Sequence, residues 1–358
     1  MSDNLRRYRA IKDGLQQLYP REAKGNLARH LNVLAAMISG IVGSHSTQLP
    51  KIAEKIPGPA KPESRAKACS RWINHEDHDY DLYFLPFVVD LLVHLAHGTL
   101  VLLMDGSEVG RHCLTLMVSV VYQGRALPIA WVVFEGNKGH LSEGTHVALL
   151  EAVRDLLPLG SDVIFLGDGE FDGTTLQATI DTYGWQYVCR TAKNAILSTD
   201  DEVLSFAEVG VRPGQCLSLP EMRFTRQGYG PLQAIAWWRK DCQEPIYLVT
   251  NFELMQEACY WYSKRFRIET FFADQKSRGF NLHKSHLSDP MRLSRLMIAS
   301  CLAYIWIIYL GVVAMRDGWR KIIHRSDRCD LSLFQLGLRL LEHFLNGNQD
   351  IPVAFQVF

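Results

Sequence analysis

Three carboxylates in this chain have the setting needed to hold a divalent cation. Asp105 follows the apolar run Thr99–Met104 in LLMDG, and Asp168 follows Asp162–Leu166 in FLGDG. In each motif an acid at the end of a β-type run stands beside glycine, so a cation can approach without side-chain crowding. Either motif alone reads equally as an ordinary turn. On adjacent strands, the two can put both carboxylates around one site. Glu170 and Asp172 lie close by and compete for the role of Asp168. The third acid is Glu269, in YSKRFRIETFFADQK. If Met255–Phe280 is one long helix, then Tyr262, Arg265, Glu269 and Lys276 fall at steps of three, four and seven and share one face. A carboxylate with a cation on each side is unusual for a core face. The bland alternative is a salt-bridged surface stripe, Arg265 with Glu269 at i,i+4.

The elements that must position these acids follow from the pattern around them. The runs 99–104, 113–122 and 126–134, separated by tight turns, predict an antiparallel meander. A helix at 147–157, a strand at 162–166, a helix at 173–183 and a strand at 185–190 follow. That order points to an α/β domain with a mixed sheet. From 194 to 241 the chain is turn-rich with short alternating runs and reads as a β-rich insertion; 245–250 is again a strand, and 290–345 is helical. Before the sheet, residues 5–19, 26–43 and 63–75 read as helices, with a short one between 45 and 62, forming a small basic helical region in which a helix-turn-helix is possible.

The spacing Tyr262-x2-Arg265-x3-Glu269-x6-Lys276 resembles, without a gap, the signature of the bacterial insertion-sequence transposases of family four, which are DDE transposases with a ribonuclease H-like core. The DGS at Asp105 in front of a meander resembles that family's first acidic motif. FLGDGEFDG resembles its second, in which an aromatic (Phe171) stands three residues after the Asp. The resemblance covers roughly 98–315. It implies an α/β fold with a ribonuclease H-like mixed sheet and flanking helices, interrupted by a β-rich insertion and preceded by a small helical domain. The expected boundaries are 1–95 for a helical DNA-binding region, 96–193 and 244–315 for the two parts of the core, 194–243 for the insertion and 316–358 for a C-terminal helical region. It also implies cut-and-paste DNA excision and strand transfer, with Asp105, Asp168 and Glu269 as catalytic and metal-binding residues. Two Mg2+ (or Mn2+) ions per site suit oxygen ligands and an in-line displacement at phosphorus; Asp105 is expected to bridge both, with Asp168 and Glu269 each completing one. Tyr262, Arg265 and Lys276 are then expected to bind phosphates of the transposon end. Arg190 and Lys193 are further DNA-contact candidates, with structural salt bridges as the alternative. Trp237 and Trp238 are candidates for stacking on a flipped base, with sheet core as the alternative. The expected partners are double-stranded DNA, as terminal inverted repeats and target, and a second copy of the chain in the DNA complex, without a membrane.

Composition fits and narrows this. Hydrophobic residues at 47% and charged residues at 21% suit a folded domain, not a disordered or fibrous chain. Net charge is zero, but basic residues dominate before Asn74 and again between Lys264 and Arg328. Such zones suit partial contact with a polyanion, or simply solvated helical faces. The eight cysteines are scattered with no Cys-x-x-Cys pair, which argues against a zinc module or disulfide framework and for a reducing cytoplasm. The N-terminus lacks the apolar stretch of a signal peptide. His140 and His146 flank Glu143 but lack a third ligand at metal spacing, and read as loop and helix-start residues. Leu296–Met315 is uncharged and long enough to span a bilayer. Basic residues flank both its ends and no other segment resembles it, so a wholly buried helix is expected. Three rival readings stand beside the transposase: a domesticated DDE protein that binds DNA without cutting, a ribonuclease H-fold nuclease acting on other nucleic acids, and a protein anchored in a membrane by 296–315.

Overall fold

The apolar runs in the middle of the chain do become strands. Among the residues described by this computed structural model, 1–136 and 141–355, they join one ten-stranded sheet. Strands β1 (Leu100–Gly110), β2 (Cys113–Tyr122) and β3 (Arg125–Glu135) form the expected meander. Gln123 and Gly124 both take positive φ, the two-residue hairpin geometry that matches strand twist. On its other edge β1 pairs in parallel with β4 (Val163–Gly167), which pairs in parallel with β5 (Gln186–Thr191). The remaining strands are β6 (Ile196–Ser198), β7 (Val203–Ser205), β8 (Cys216–Phe224), β9 (Tyr229–Trp237) and β10 (Ile246–Thr250), and the full order is β3-β2-β1-β4-β5-β10-β9-β8-β6-β7. The stretch read as an insertion is β-rich, but it does not stand apart. Through the antiparallel pairing of β9 with β10 it extends the same sheet.

Six helices precede the sheet: α1 (Asp3–Leu18), α2 (Gly25–Ser44), α3 (Leu49–Lys55), α4 (Pro62–Asn74), α5 (Tyr80–Tyr83) and α6 (Leu85–Leu95). Two helices lie between the parallel strands' neighbours in sequence, α7 (Glu143–Arg154) and α8 (Thr174–Thr182). Five follow the sheet: α9 (Met255–Tyr262), α10 (Arg267–Gln275), α11 (Pro290–Arg316), α12 (Arg320–Ile323) and α13 (Leu333–Asn346). Asp289 caps α11 by accepting from the Arg292 amide at 2.7 Å, with Pro290 in the first turn. The most apolar stretch of α11 is 94% buried inside the protein, with α2, α4, α13 and β3 packed around it. The expectation that no other segment resembles it needs correcting, because α2 is also long and apolar enough to cross a membrane. The crossing of α13 over α11 is close at Gly337, where a Cβ would overlap the Ile307 carbonyl.

The N-terminal helices are not the separate small domain expected from sequence. Their buried residues are continuous with the sheet's core, and α2 packs on α11 while α1 packs on α13. Some of the basic residues counted there are structural. Arg6 and Arg7 are buried: Arg6 donates to the carbonyls of Phe344, Leu345 and Gln349, and Arg7 to the carbonyl of Ser39 at 2.9 Å. Arg65 closes on the carbonyls of Ile56 and Gly58. These guanidiniums bond to backbone acceptors, so their donors are committed within the fold.

Candidate active site

Asp105 sits inside β1, opposite Met117 of β2, and not at the strand tip its sequence suggests. The strand runs on to Gly110 because the pairing with β2 continues past it. Parallel pairing aligns Leu103 with Leu166, so two residues further along each chain Asp105 and Asp168 come side by side on one face. Asp168 itself lies just beyond β4. Its turn is fixed by the Phe171 amide donating to its carbonyl at 3.0 Å, while the Phe171 ring is fully buried. Gly167 makes this fold-back possible, since a Cβ there would lie 2.6 Å from Cβ of Phe171. The motif Asp-x2-Phe is therefore a way of aiming a carboxylate with a buried anchor.

The expected single helix at 255–280 is two helices. Between α9 and α10 the backbone tightens: Lys264 donates to Trp261, Arg265 to Tyr262, Arg267 to Lys264 and Glu269 to Phe266, all three-residue spacings. Ser263 also turns its hydroxyl back to the Tyr260 carbonyl at 2.6 Å, competing with the helix ladder. The shared-face argument therefore does not hold as stated, yet Arg265 and Glu269 still point into one cluster.

That cluster centres on the Arg265 guanidinium. Its Nη1 is 3.8 Å from Asp105 Oδ2 and 3.4 Å from Asp168 Oδ2, and its Nη2 bonds to Glu269 Oε1. The three acids form a gradient from floor to mouth, with side-chain exposures of 16% for Asp105, 33% for Asp168 and 57% for Glu269. Burial first, and the neighbouring Asp168 charge second, push the Asp105 carboxyl up to about 7. Burial alone would lower Arg265, but Tyr262 and the three acids outweigh it and raise its pKa. Three carboxylates thus share one guanidinium, leaving an excess of negative charge on oxygen donors. That donor set fits hard divalent cations, with Arg265 occupying the electrostatic position of a cation.

The competitors for the second role border the cluster but have partners of their own. Asp172 accepts from the Thr191 hydroxyl at 2.5 Å, and burial raises its pKa. Glu170 accepts from the Leu141 amide at 3.1 Å and lies 3.8 Å from the ring of buried His146. His140 lies outside the described residues, so its pairing with His146 has no structural account.

The other candidates divide. Lys276 follows α10 and its Nζ donates to Ser107 Oγ at 2.7 Å, next to Asp105 on the same face of β1. Tyr262 closes α9, is buried, and has its phenol pushed up to about 12 by that burial, against the opposing charges of Arg265 and Arg190. Arg190 is exposed on β5, and Lys193 is exposed just after it, with its carbonyl taken by the Ala207 amide. Trp237 and Trp238 are half-buried. Arg239 lies over the Trp237 ring at 5.7 Å while Trp237 packs against the hydrophobic core, the sheet-core alternative; the Trp238 ring N–H donates to the Cys242 carbonyl at 3.1 Å.

Sequence reasoning missed what holds α10 in place. Arg125 of β3 donates to Asp274 of α10 at 3.2 Å, and both side chains are largely buried. Burial outweighs Arg125 and raises the Asp274 carboxyl to about 6. An apolar helix flank interrupted by a lone Asp was the available signal.

A mixed α/β sheet with three converging carboxylates beside a guanidinium defines a protein equipped for metal-assisted chemistry on oxyanions. The transposase DDE domain family matches residues 97–306, more than half of the chain, and the chain belongs to that family. It is accordingly a DDE transposase, an enzyme class that uses divalent metal ions. Among solved structures it is similar to a piggyBac transposase synaptic complex with hairpin DNA, at 12% identity and a TM-score of 0.47, covering 98% of this chain and 79% of that one. No curated protein matches the chain.

Proposed function

We propose that this transposase excises a DNA element by cut-and-paste and joins it to target DNA, using Asp105, Asp168 and Glu269 as its metal-binding and catalytic carboxylates. The observation that carries this reading is the convergence of all three acids on the Arg265 guanidinium. Two Mg2+ or Mn2+ ions, when bound, supply charge stabilisation for in-line displacement at phosphorus. Asp105, the most buried of the three, would contact both ions, and Asp168 and Glu269 would each complete one set.

The protein's own groups then bind and orient the DNA. Arg265 offers a two-pronged donor to a phosphate, Lys276 a point charge and Tyr262 a neutral hydroxyl. Arg190, near Tyr262, and Lys193 extend this positive edge. Trp237 and Trp238 lie further out in the sheet extension, as candidates to stack on an unpaired base. The strand order, three antiparallel strands continued by two parallel ones, supports a ribonuclease H-like core in 96–193 and 244–315, interrupted at 194–243. The assignment of 1–95 as a DNA-binding helical region and of 316–358 as a C-terminal one rests on the resemblance alone. The affiliation with family-four insertion-sequence transposases rests on the Tyr262, Arg265, Glu269 and Lys276 spacing. Pairing two inverted-repeat ends calls for two copies of the chain. Action on DNA in the cytoplasm fits the reading, as does burial of α11 within the protein, which leaves a membrane anchor without support.

The test uses the full chain with duplexes taken from the DNA flanking its reading frame. With magnesium, the wild type should cut at an inverted-repeat boundary. Glu269→Gln should bind the same duplex without cutting it. Cutting by Glu269→Gln would refute the site, and absence of specific binding by either protein would refute the substrate.

A further inference from the structure

Far from the carboxylates, three histidines meet where the N-terminal helices rest on α11. His30 comes from α2, His75 from the end of α4 and His78 from the turn before α5. One ring nitrogen of each lies within 4.8 Å of the others. The buried His78 ring donates from Nδ1 to the Trp72 carbonyl at 2.8 Å, which leaves a lone pair on Nε2. That Nε2 is 2.9 Å from His30 Nδ1, which is itself 2.9 Å from the Tyr83 hydroxyl. In the metal-free protein His30 Nδ1 donates to His78 Nε2, and a cation that displaces this proton would find both nitrogens already turned towards it. The His75 ring stacks on His78 at 4.4 Å, and its Nδ1 is 3.8 Å from the Asp77 carboxylate.

We propose that His30, His75 and His78 form a second metal site, for a borderline transition cation of the zinc class, which clamps α2 to the connection between α4 and α5. Three imidazoles suit Zn2+ or Co2+, not the magnesium suited to the carboxylate site. A ligating imidazole characteristically gives its other N–H to a carbonyl or carboxylate, as His78 does to Trp72. Asp77 or a solvent molecule completes a four-coordinate set. The clamp is seated from below by Arg295 of α11, which donates to the carbonyls of Ile73, Glu76 and His78. Metal binding here therefore orders the connection that joins the N-terminal helices to the core helix.

The test takes the full chain, stripped with chelator and held in excess Mg2+ so that the carboxylates do not count. Zn2+ per chain is measured by mass spectrometry, and Co2+ is the spectroscopic probe. The wild type should take up one equivalent of Zn2+, gain in Tm on binding, and give the visible spectrum of four-coordinate imidazole-bound cobalt. Asp105→Asn should retain all three. His75→Ala removes an exposed side chain, so its metal-free Tm should match the wild type while uptake, Tm gain and cobalt spectrum are lost. No stoichiometric uptake by the wild type would overturn the proposal, as would uptake that survives His75→Ala or disappears in Asp105→Asn.

Discussion

The carboxylate site and the histidine cluster are both assembled from side chains far apart in the chain, yet they differ in how they are held. The carboxylates stand on β1, on the turn after β4 and on α10, and share the single Arg265 guanidinium. The histidines stand within α2, at the end of α4 and on a turn, and are oriented by the Trp72 carbonyl and by one another. Oxygen donors on a sheet make a charged, open mouth; nitrogen donors between helices make a seam. One arrangement suits chemistry on a phosphate and the other suits joining two parts of a fold.

That contrast can be tested at four strengths. The largest effect is expected from Glu269→Gln, which should lower cleavage by at least about 10³-fold while leaving thermal stability unchanged. A drop in Tm instead would mean that Glu269 is a structural member of the ion cluster. Next, Arg125→Ala leaves Asp274 buried without its partner, and chemical denaturation should register a loss of about 3 kcal/mol. A loss well under that would show that α10 is positioned by packing alone. Third, Lys276→Ala should weaken binding to transposon-end DNA, and the slope of log K against log salt should fall by about 1. An unchanged slope would restrict Lys276 to its bond with Ser107. The smallest effect concerns pH. Because Asp274 is raised to about 6 in the folded protein, its favourable contribution is complete below its ordinary value, about 3.9, and is lost as pH rises through about 6. Comparing stability across that window, the wild type should decline relative to Asp274→Asn; parallel curves would contradict the raised carboxyl.

The two regions were not equally visible in the sequence. LLMDG, FLGDG and the Tyr262-to-Lys276 spacing are local patterns, and each led to a residue of the carboxylate cluster. What they could not give is geometry. Periodicity alone made 255–280 one helix, because it does not register the three-residue backbone bonds and the Ser263 hydroxyl that break the ladder there. The extension of the sheet by β6–β9 was hidden for a related reason: strand runs are legible, but which edge they join is not. The histidines were invisible as a group, since His30 is separated from His75 and His78 by two helices, and the absence of Cys-x-x-Cys addresses only thiolate sites. Likewise Arg6, Arg7 and Arg65 look like surface charge until the carbonyls they cover are known.

The register that sets Asp105 beside Asp168 has a temporal consequence. Both strands can pair as soon as residue 168 has been made, but Glu269 and the buried helix α11 come a hundred residues or more later. Contacts of such long sequence separation form late and slowly. On the proposed assignment, a growing chain that has made the first two acids still lacks Glu269 and the helix that carries it. The order of the chain thus withholds the third acid until the strands that position the first two have been made.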